Sequence, residues 1–182
     1  MDRYYIDLNE SDKEPEDSVG DVFYIQSSNF YLVPFVHDGV QYLTYFTPVA
    51  KEQGGIVEYD TFKTVIESTT EGSHSVSGSP FVFKFGLKNN FDSSDVYGFD
   101  PEQKIGRILF TLPKKLSICV RKLMEKTGAE EFYFLPGSQC EKHQKKLDTW
   151  YSRFSNKLAE QHSLAPIHQD SEGGWYGYKR IS

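Results

Sequence analysis

Residues 104–135 read KIGRILFTLPKKLSICVRKLMEKTGAEEFYFL and carry the strongest structural signal in the chain. In their first part, Ile105–Thr111, the apolar residues Ile105, Ile108, Leu109 and Phe110 are too continuous for a half-exposed strand, which predicts a central strand that is covered on both faces of a sheet. From Leu112 to Thr127 apolar residues recur at helical spacing, which predicts an amphipathic helix. Thr111 is a suitable N-cap for this helix, and Pro113 is tolerated in a first turn because the N–H groups there have no helical partner.

The residues after this helix predict a second strand. Gly128 predicts the end of the helix, and Phe132–Leu135 predicts a short buried strand that Pro136-Gly137 interrupts. A strand, a helix and a strand in succession favour a right-handed crossover in which the two strands are parallel. We therefore expect residues 105–111 and 132–135 to run in parallel in one sheet.

The last part of the chain predicts another helix and a closing hairpin. Ser138 and Glu141 form a capping box, and the helix that it opens is predicted to continue to about His162. Ala165–His168 and Trp175–Ile181 are separated by a glycine-containing turn and predict the two arms of a hairpin.

The region between residues 22 and 87 has strand patterning at several places. A β-hairpin with arms near 29–36 and 40–47 is predicted, because Asp38-Gly39 between them supplies the positive φ that a tight hairpin requires. Phe81–Leu87 alternates in the same way and predicts a further strand, whereas residues 60–68 fit a helix or a strand equally well.

Composition predicts two parts in the chain. Residues 9–21 are acidic and almost without apolar side chains, so burial cannot offset the entropy lost on ordering them. We expect an acidic flexible arm over residues 1–21 and a single α/β domain over 22–182, since the 182 residues suffice for one core. The 14 Phe and 12 Tyr predict that aromatic rings fill much of that core.

The cellular environment that the sequence favours is the cytoplasm, with no membrane association. No apolar run approaches the roughly 20 residues of a membrane span, and Met1–Tyr5 lacks the features of an export signal. Cys119 and Cys140 lie in different predicted helices, and we expect both thiols to be reduced.

Charge is distributed unevenly along the chain, although the formal net charge is only −6. Residues 1–100 hold 6 Lys/Arg against 17 Asp/Glu, a net −11, whereas residues 101–182 hold 14 against 9, a net +5. Either the acidic half docks on the basic half of the same chain, or the basic half meets an anionic ligand. The first interpretation is preferred because it requires no partner.

The predicted order of elements from residue 81 resembles the C-terminal core of the GNAT acyltransferases. In that core a hairpin strand is followed by a central strand, the cofactor helix, a splayed fifth strand, a helix that carries a tyrosine, and a final hairpin. The chain also looks like a group of phage-associated GNAT-like proteins. The stretches that carry the resemblance are Phe110-Thr111-Leu112 and Trp150-Tyr151-Ser152-Arg153-Phe154, and it covers roughly the last hundred residues.

The resemblance implies positions for a cofactor site. Thr111, Lys114 and Lys115 follow the predicted central strand, where the acyl-CoA pyrophosphate of these enzymes lies against backbone N–H groups at a helix start. Tyr151 matches the tyrosine that acts as general acid toward the leaving thiolate, and Glu102 could be the general base for an amine. The glycines of the family's phosphate loop are absent here, and a proline at position 113 removes one N–H donor.

From these departures we expect a non-catalytic or degenerate GNAT-like protein, encoded by a phage, that binds a host or viral protein partner and needs no cofactor. One alternative is a divergent N-acyltransferase that uses acetyl-CoA. A second alternative is a nucleic-acid-binding protein that uses the basic faces of both predicted helices, with the aromatic residues Trp150, Trp175, Tyr176 and Tyr178 available for base stacking.

Two further patterns in the sequence concern its cysteine and histidine residues. Cys140-x-x-His143 places a thiol and an imidazole one turn apart at a predicted helix start, which favours a thiolate, but no orienting acid accompanies the pair. The five histidines are scattered without ligand spacing, so no metal site is predicted.

Overall fold

A computed structural model describes residues 18–37, 39–49, 59–76, 79–87, 105–134, 155–169 and 176–181. Within these ranges the elements are β1 (Phe23–Ile25), a 3-10 turn (Gln26–Ser28), β2 (Phe30–His37), β3 (Val40–Pro48), α1 (Tyr59–Thr69), β4 (Phe81–Leu87), α2 (Ile105–Thr127), β5 (Glu131–Phe134), a helix over residues 155–162 here called α3, β6 (Leu164–Gln169) and β7 (Tyr176–Arg180). The predicted mixed α/β fold, a sheet flanked by helices, is confirmed.

The seven strands form one sheet in the order β1-β2-β3-β4-β5-β7-β6. β4 and β5 are parallel, with Phe81 opposite Phe132 and Val82 opposite Tyr133. The other neighbouring pairs in this sheet are antiparallel. Because α2 connects the parallel strands, the predicted strand–helix–strand crossover exists, but the strand that precedes the helix is β4.

The predicted hairpins are confirmed with small shifts in their bounds. β2 and β3 pair from Tyr31–Phe46 to His37–Val40, and Gly39 has the positive φ of 73° that the tight connection requires. β6 and β7 form the closing hairpin, and Gly128, with a φ of 71°, follows the end of α2 as predicted. The ambiguous segment near residue 60 is a helix, α1.

The predicted central strand at Ile105–Thr111 is wrong, because these residues are the first two turns of the 23-residue helix α2. Ile105, Ile108, Leu109 and Leu112 follow the spacing i, i+3, i+4, i+7, and Leu116 continues the same stripe. A dense apolar stretch predicts a central strand only where its apolar residues lack helical spacing. The apolar residues of this stretch have that spacing. Residues 105–111 therefore belong to the same helical pattern as residues 112–127.

The core is divided between the two faces of the sheet. β5 shows the division most clearly, because Phe132 and Phe134 point to the face covered by α2 and α3, whereas Tyr133 points to the face covered by α1. The larger cluster on the α2 face includes Leu116 and Leu158. The smaller cluster on the α1 face joins that helix to β4 and β5.

The predicted aromatic core is confirmed as a row of rings that crosses the sheet on the α2 face. Phe134 of β5 lies at its centre, with ring centroids 5.0 Å from Phe83, 5.1 Å from Tyr176 and 6.2 Å from Tyr178. Neighbouring strands thus contact each other through rings at the separations that aromatic pairs favour. Further pairs in the row are Phe46–Phe83, Phe35–Tyr42 and Phe81–Phe132.

The end of the predicted acidic arm is part of the folded sheet. Val19 is 4 % exposed and forms an antiparallel bridge with Phe35, while the amine of Lys122 donates to the carbonyl oxygens of Val19 and Gly20 at 2.9 and 3.1 Å. Residues 19 and 20 therefore contact β2 and α2, although they belong to the acidic stretch of residues 9–21. Residues 1–17 lie outside the described ranges, and a flexible arm there stays a prediction.

We expect Phe134→Ala to lower the free energy of unfolding by about 3–5 kcal/mol, since it removes the central ring of this row and leaves a cavity. Urea denaturation followed by fluorescence measures the change. Tyr24→Ala, at a ring that is 50 % exposed, is the control and should cost less than about 1 kcal/mol. Equal losses in the two variants would show that the aromatic row does not stabilise the sheet.

Candidate functional site

The three residues that the resemblance assigns to a cofactor all lie on α2. Thr111 lies inside α2 rather than at its start, and Lys114 on the same helix is exposed to solvent. Lys115 is partly buried, and its amine donates a hydrogen bond to the main-chain oxygen of Val36 in β2. Tyr151 and Glu102 lie outside the described residues, so their assigned roles stay predictions.

Thr111 does not lie at a helix start, which is where the resemblance places the phosphate groups. A helix start binds phosphate through N–H groups that have no partner in the helix, and those groups occur only in the first turn. Residues 111–115 follow at least one full turn of α2, so their N–H groups serve the helix itself. Pro113, which was expected in a first turn, instead lies in the interior and removes one bond of the helical ladder.

A buried polar cluster lies on the opposite face of the sheet, where Glu131 and Tyr133 of β5 meet His74. The Tyr133 hydroxyl donates to Glu131 Oε1, and His74 Nε2 lies 3.1 Å from the same oxygen and 3.0 Å from the Tyr133 hydroxyl. The Glu131 side chain is 0 % exposed and that of His74 is 13 % exposed. Glu131, Tyr133 and His74 are not among the site residues that the sequence predicts.

Local structure explains how these three groups meet. Residues 131 and 133 are two apart in a strand, so their side chains share a face. The Tyr133 ring lies over Gly177 of β7, where an added Cβ would come within 2.8 Å of the ring, and Phe62 of α1 packs edge-on against it at 4.9 Å. Gly177 therefore makes room for the ring, and the turn after α1 brings His74 to the hydroxyl.

Tyr133 is the group of the cluster whose protonation state the surroundings determine. Its hydroxyl donates to Glu131 Oε1, and His74 Nε2 lies within hydrogen-bond distance of both oxygens. Burial and the adjacent Glu131 carboxylate raise the pKa of Tyr133 above its usual value, so the phenol stays protonated. The cluster therefore has the form of an oriented imidazole backed by a carboxylate, with the carboxylate itself sealed from water.

Ser117 and His162 lie close together, as a nucleophile and its base would, but His162 cannot act as the base in this arrangement. The Ser117 hydroxyl lies 2.7 Å from His162 Nε2 and 2.6 Å from Gln161 Oε1, and the same Nε2 lies 3.0 Å from the Ser117 main-chain oxygen. A carbonyl oxygen only accepts, so Nε2 carries a proton and is not a base for the hydroxyl. The contacts join α2 to α3.

Cys119 is likewise a structural residue. Its thiol is unpaired, 0 % exposed and packed in the main core. Burial raises the pKa of the Cys119 thiol to about 12, which removes the thiolate that nucleophilic chemistry needs. Cys140 and His143 lie outside the described residues.

The structure differs in two ways from the basic surface with aromatic residues that the sequence predicts for nucleic-acid binding. Tyr176 and Tyr178 are 2 % and 0 % exposed, so the prediction that they stack on bases is wrong. Their alternation in β7 directs both rings into the aromatic core. Lys115 and Lys122 bind main-chain oxygens instead of facing solvent freely. Trp150 and Trp175 lie outside the described ranges.

A shallow groove of about 700 Å³ lies between α3 and the edge strand β6. Its lining includes Ala159, Ser163, Leu164, Pro166 and Ile181. Pro166 has no N–H group, which limits the addition of another strand at this edge of the sheet. In the part of the chain that the structure covers, no three His, Cys, Asp or Glu residues are close enough to hold a metal ion, and no helix is long and apolar enough to cross a membrane.

Comparisons with protein-family models, with curated proteins and with solved structures found no significant match to this chain.

We expect acidification to destabilise the fold through His162. Burial lowers the pKa of His162 below its usual 6.5, so the unfolded chain binds more protons, and stability that is complete above about pH 6.5 falls as the pH falls further. The slope from one proton cannot exceed about 1.4 kcal/mol per pH unit. Urea denaturation of the wild type and of His162→Gln, between about pH 5 and 8, measures it.

His162→Gln keeps a nitrogen donor for the Ser117 oxygens but cannot titrate. Its stability should therefore fall less than that of the wild type below pH 6.5. Parallel pH profiles in the two proteins would contradict a contribution from His162.

Proposed function

We propose that this chain is a non-catalytic binding protein on a GNAT-like scaffold, and that it holds a protein partner rather than transferring an acyl group. The order of elements supports the scaffold: β4, α2, the parallel strand β5, α3 and the final hairpin of β6 and β7 follow the order of the GNAT core. In this proposal the central strand is β4, not residues 105–111, and α2 takes the place of the cofactor helix.

The observation that carries the non-catalytic assignment is the hydrogen bond from the Lys115 amine to the main-chain oxygen of Val36. A lysine that binds cofactor phosphate must direct its amine to the ligand, whereas this amine joins α2 to β2. Thr111 in the interior of the same helix supports the assignment for the reason given above.

The reactive groups of the core support the same assignment. Ser117 hydrogen bonds to α3, Cys119 is a buried thiol, and Tyr133 is a buried phenol whose pKa is raised. Catalytic groups need pKa values matched to their task and access to substrate. These three have a structural task instead.

The acidic N-terminal segment is the candidate contact with a partner. Where the end of this segment meets α2, Lys122 donates to the main-chain oxygens of residues 19 and 20 rather than to a carboxylate. Residues 9–21 contain Glu10, Asp12, Glu14, Glu16, Asp17 and Asp21. A partner with a basic surface, from the host or from a virus, would gain both steering and affinity from these charges.

We expect a variant with Glu14→Gln, Glu16→Gln and Asp17→Asn to lose most of its partner in affinity capture from the native cell, because three opposing charges are removed. Quantitative mass spectrometry of the captured proteins measures the loss. The control carries Glu125→Gln, Glu130→Gln and Glu160→Gln at exposed positions of the domain and should capture the same proteins as the wild type. Equal capture by all three proteins would contradict a role for the acidic segment.

The alternative is a divergent acyltransferase, which the strand–helix–strand order and the exposed Lys114 favour. We expect no saturable heat when acetyl-CoA is titrated into the protein, since the predicted cradle is the interior of a helix. Isothermal titration calorimetry makes the test. Micromolar binding that Lys114→Ala weakens and Lys126→Ala, near the other end of α2, does not would favour the enzyme.

A further inference from the structure

The helix α1 belongs to a hydrophobic cluster of its own. The cluster joins Tyr59, Phe62, Ile66 and Val76, all within residues 59–76, to Val49, Val82 and Tyr133 of the sheet side. None of these residues belongs to the main core between the sheet and α2. The buried apolar contacts of residues 59–76 therefore belong to a cluster separate from the main core.

α1 depends on the sheet for its stability. Five of its 11 residues are β-branched, a residue class with low helix propensity. The Thr64 and Thr69 hydroxyls bond back to carbonyl oxygens of the preceding turn, which does not strengthen a helix. A helix of this length is marginal in water by itself, so its amides should become accessible once it leaves the sheet.

The turn after α1 has two successive residues in the left-handed region, Glu71 at φ 51° and Gly72 at φ 73°. Such a conformation is unfavourable for Glu71 because of its Cβ, and it persists where the surrounding contacts hold it. Two residues later, His74 makes its two hydrogen bonds to β5. These bonds hold the strained turn against the sheet.

His74 lies at the solvent edge of this contact. In the closed state the Glu131 side chain is 0 % exposed and depends on its hydrogen bonds, whereas the histidine side chain above it is 13 % exposed. Once the imidazole leaves, water reaches the carboxylate and stabilises the open state, which is not true of an apolar contact in the main core.

We propose that residues 59–76 form a lid that opens independently of the rest of the fold, and that His74 is its latch. In the closed state the lid covers Val82 of β4 and Glu131 and Tyr133 of β5. In the open state these residues form an apolar patch with one carboxylate and one phenol at the middle of the sheet. The inference does not depend on the proposed binding function.

Native-state hydrogen exchange tests the lid. In the wild type, the amides of residues 63–69 should be less protected from exchange than the amides of α2 near residues 116–123. Their exchange rates should also depend less on urea concentration, because opening of the lid exposes less surface than global unfolding. Val120→Ala, a buried change in the main core, should accelerate exchange in α2 and leave the lid amides unchanged, because opening of the lid does not break contacts of Val120. If the lid amides accelerate by the same factor as α2, the lid opens only with global unfolding and the proposal is overturned.

A second pair of variants tests the latch. His74→Ala should accelerate exchange of the lid amides by about 10- to 100-fold, since it removes two hydrogen bonds to a buried carboxylate and phenol. His74→Gln keeps a nitrogen donor near the position of Nε2 and should accelerate exchange much less. Unchanged lid exchange in His74→Ala would overturn the role of His74. Should this variant not fold, the comparison of the wild type with Val120→Ala still decides whether the lid exists.

Discussion

The parallel pairing of β4 with β5 is the constraint on which the rest of the sheet depends. It joins an antiparallel block of β1 to β4 with a second block of β5, β7 and β6, and it consists of two registered pairs, at Phe81–Phe132 and Val82–Tyr133. The first block contains the hairpin of β2 and β3, and the second contains the hairpin of β6 and β7. The junction is short, so the ring contact between Phe83 and Phe134 and the crossing helix α2 provide much of what holds the blocks together.

The same junction determines where polar chemistry can occur. Since β5 is covered on both faces, its alternation sends Phe132 and Phe134 to the main core and Glu131 and Tyr133 to the α1 face. A carboxylate in such a place must be hydrogen-bonded, and His74 meets that need. The result is a cluster that joins α1 to the sheet and whose carboxylate is closed to solvent.

Much of the fold was accessible from local patterns in the chain. The β2–β3 hairpin followed from Asp38-Gly39 between alternating runs, and the helix end at Gly128 followed from the preference of that position for a left-handed residue. The segment 105–111 is helical although its apolar density favours a strand, because its apolar residues also have helical spacing. That spacing continues the stripe back from Leu112 and places Thr111 and the two lysines after it inside α2.

The sequence by itself determined the local conformations and the two faces of each strand, because these follow from side-chain spacing and from the φ values that glycine allows. Only the tertiary structure decided which strand lies beside β5 and that Tyr176 and Tyr178 are buried in the core. It also decided that the Lys115 amine donates to the main-chain oxygen of Val36. It also brought His74 to Glu131 across 57 positions of the chain. Contacts at such separations leave no periodic signal, since they depend on how the whole sheet closes.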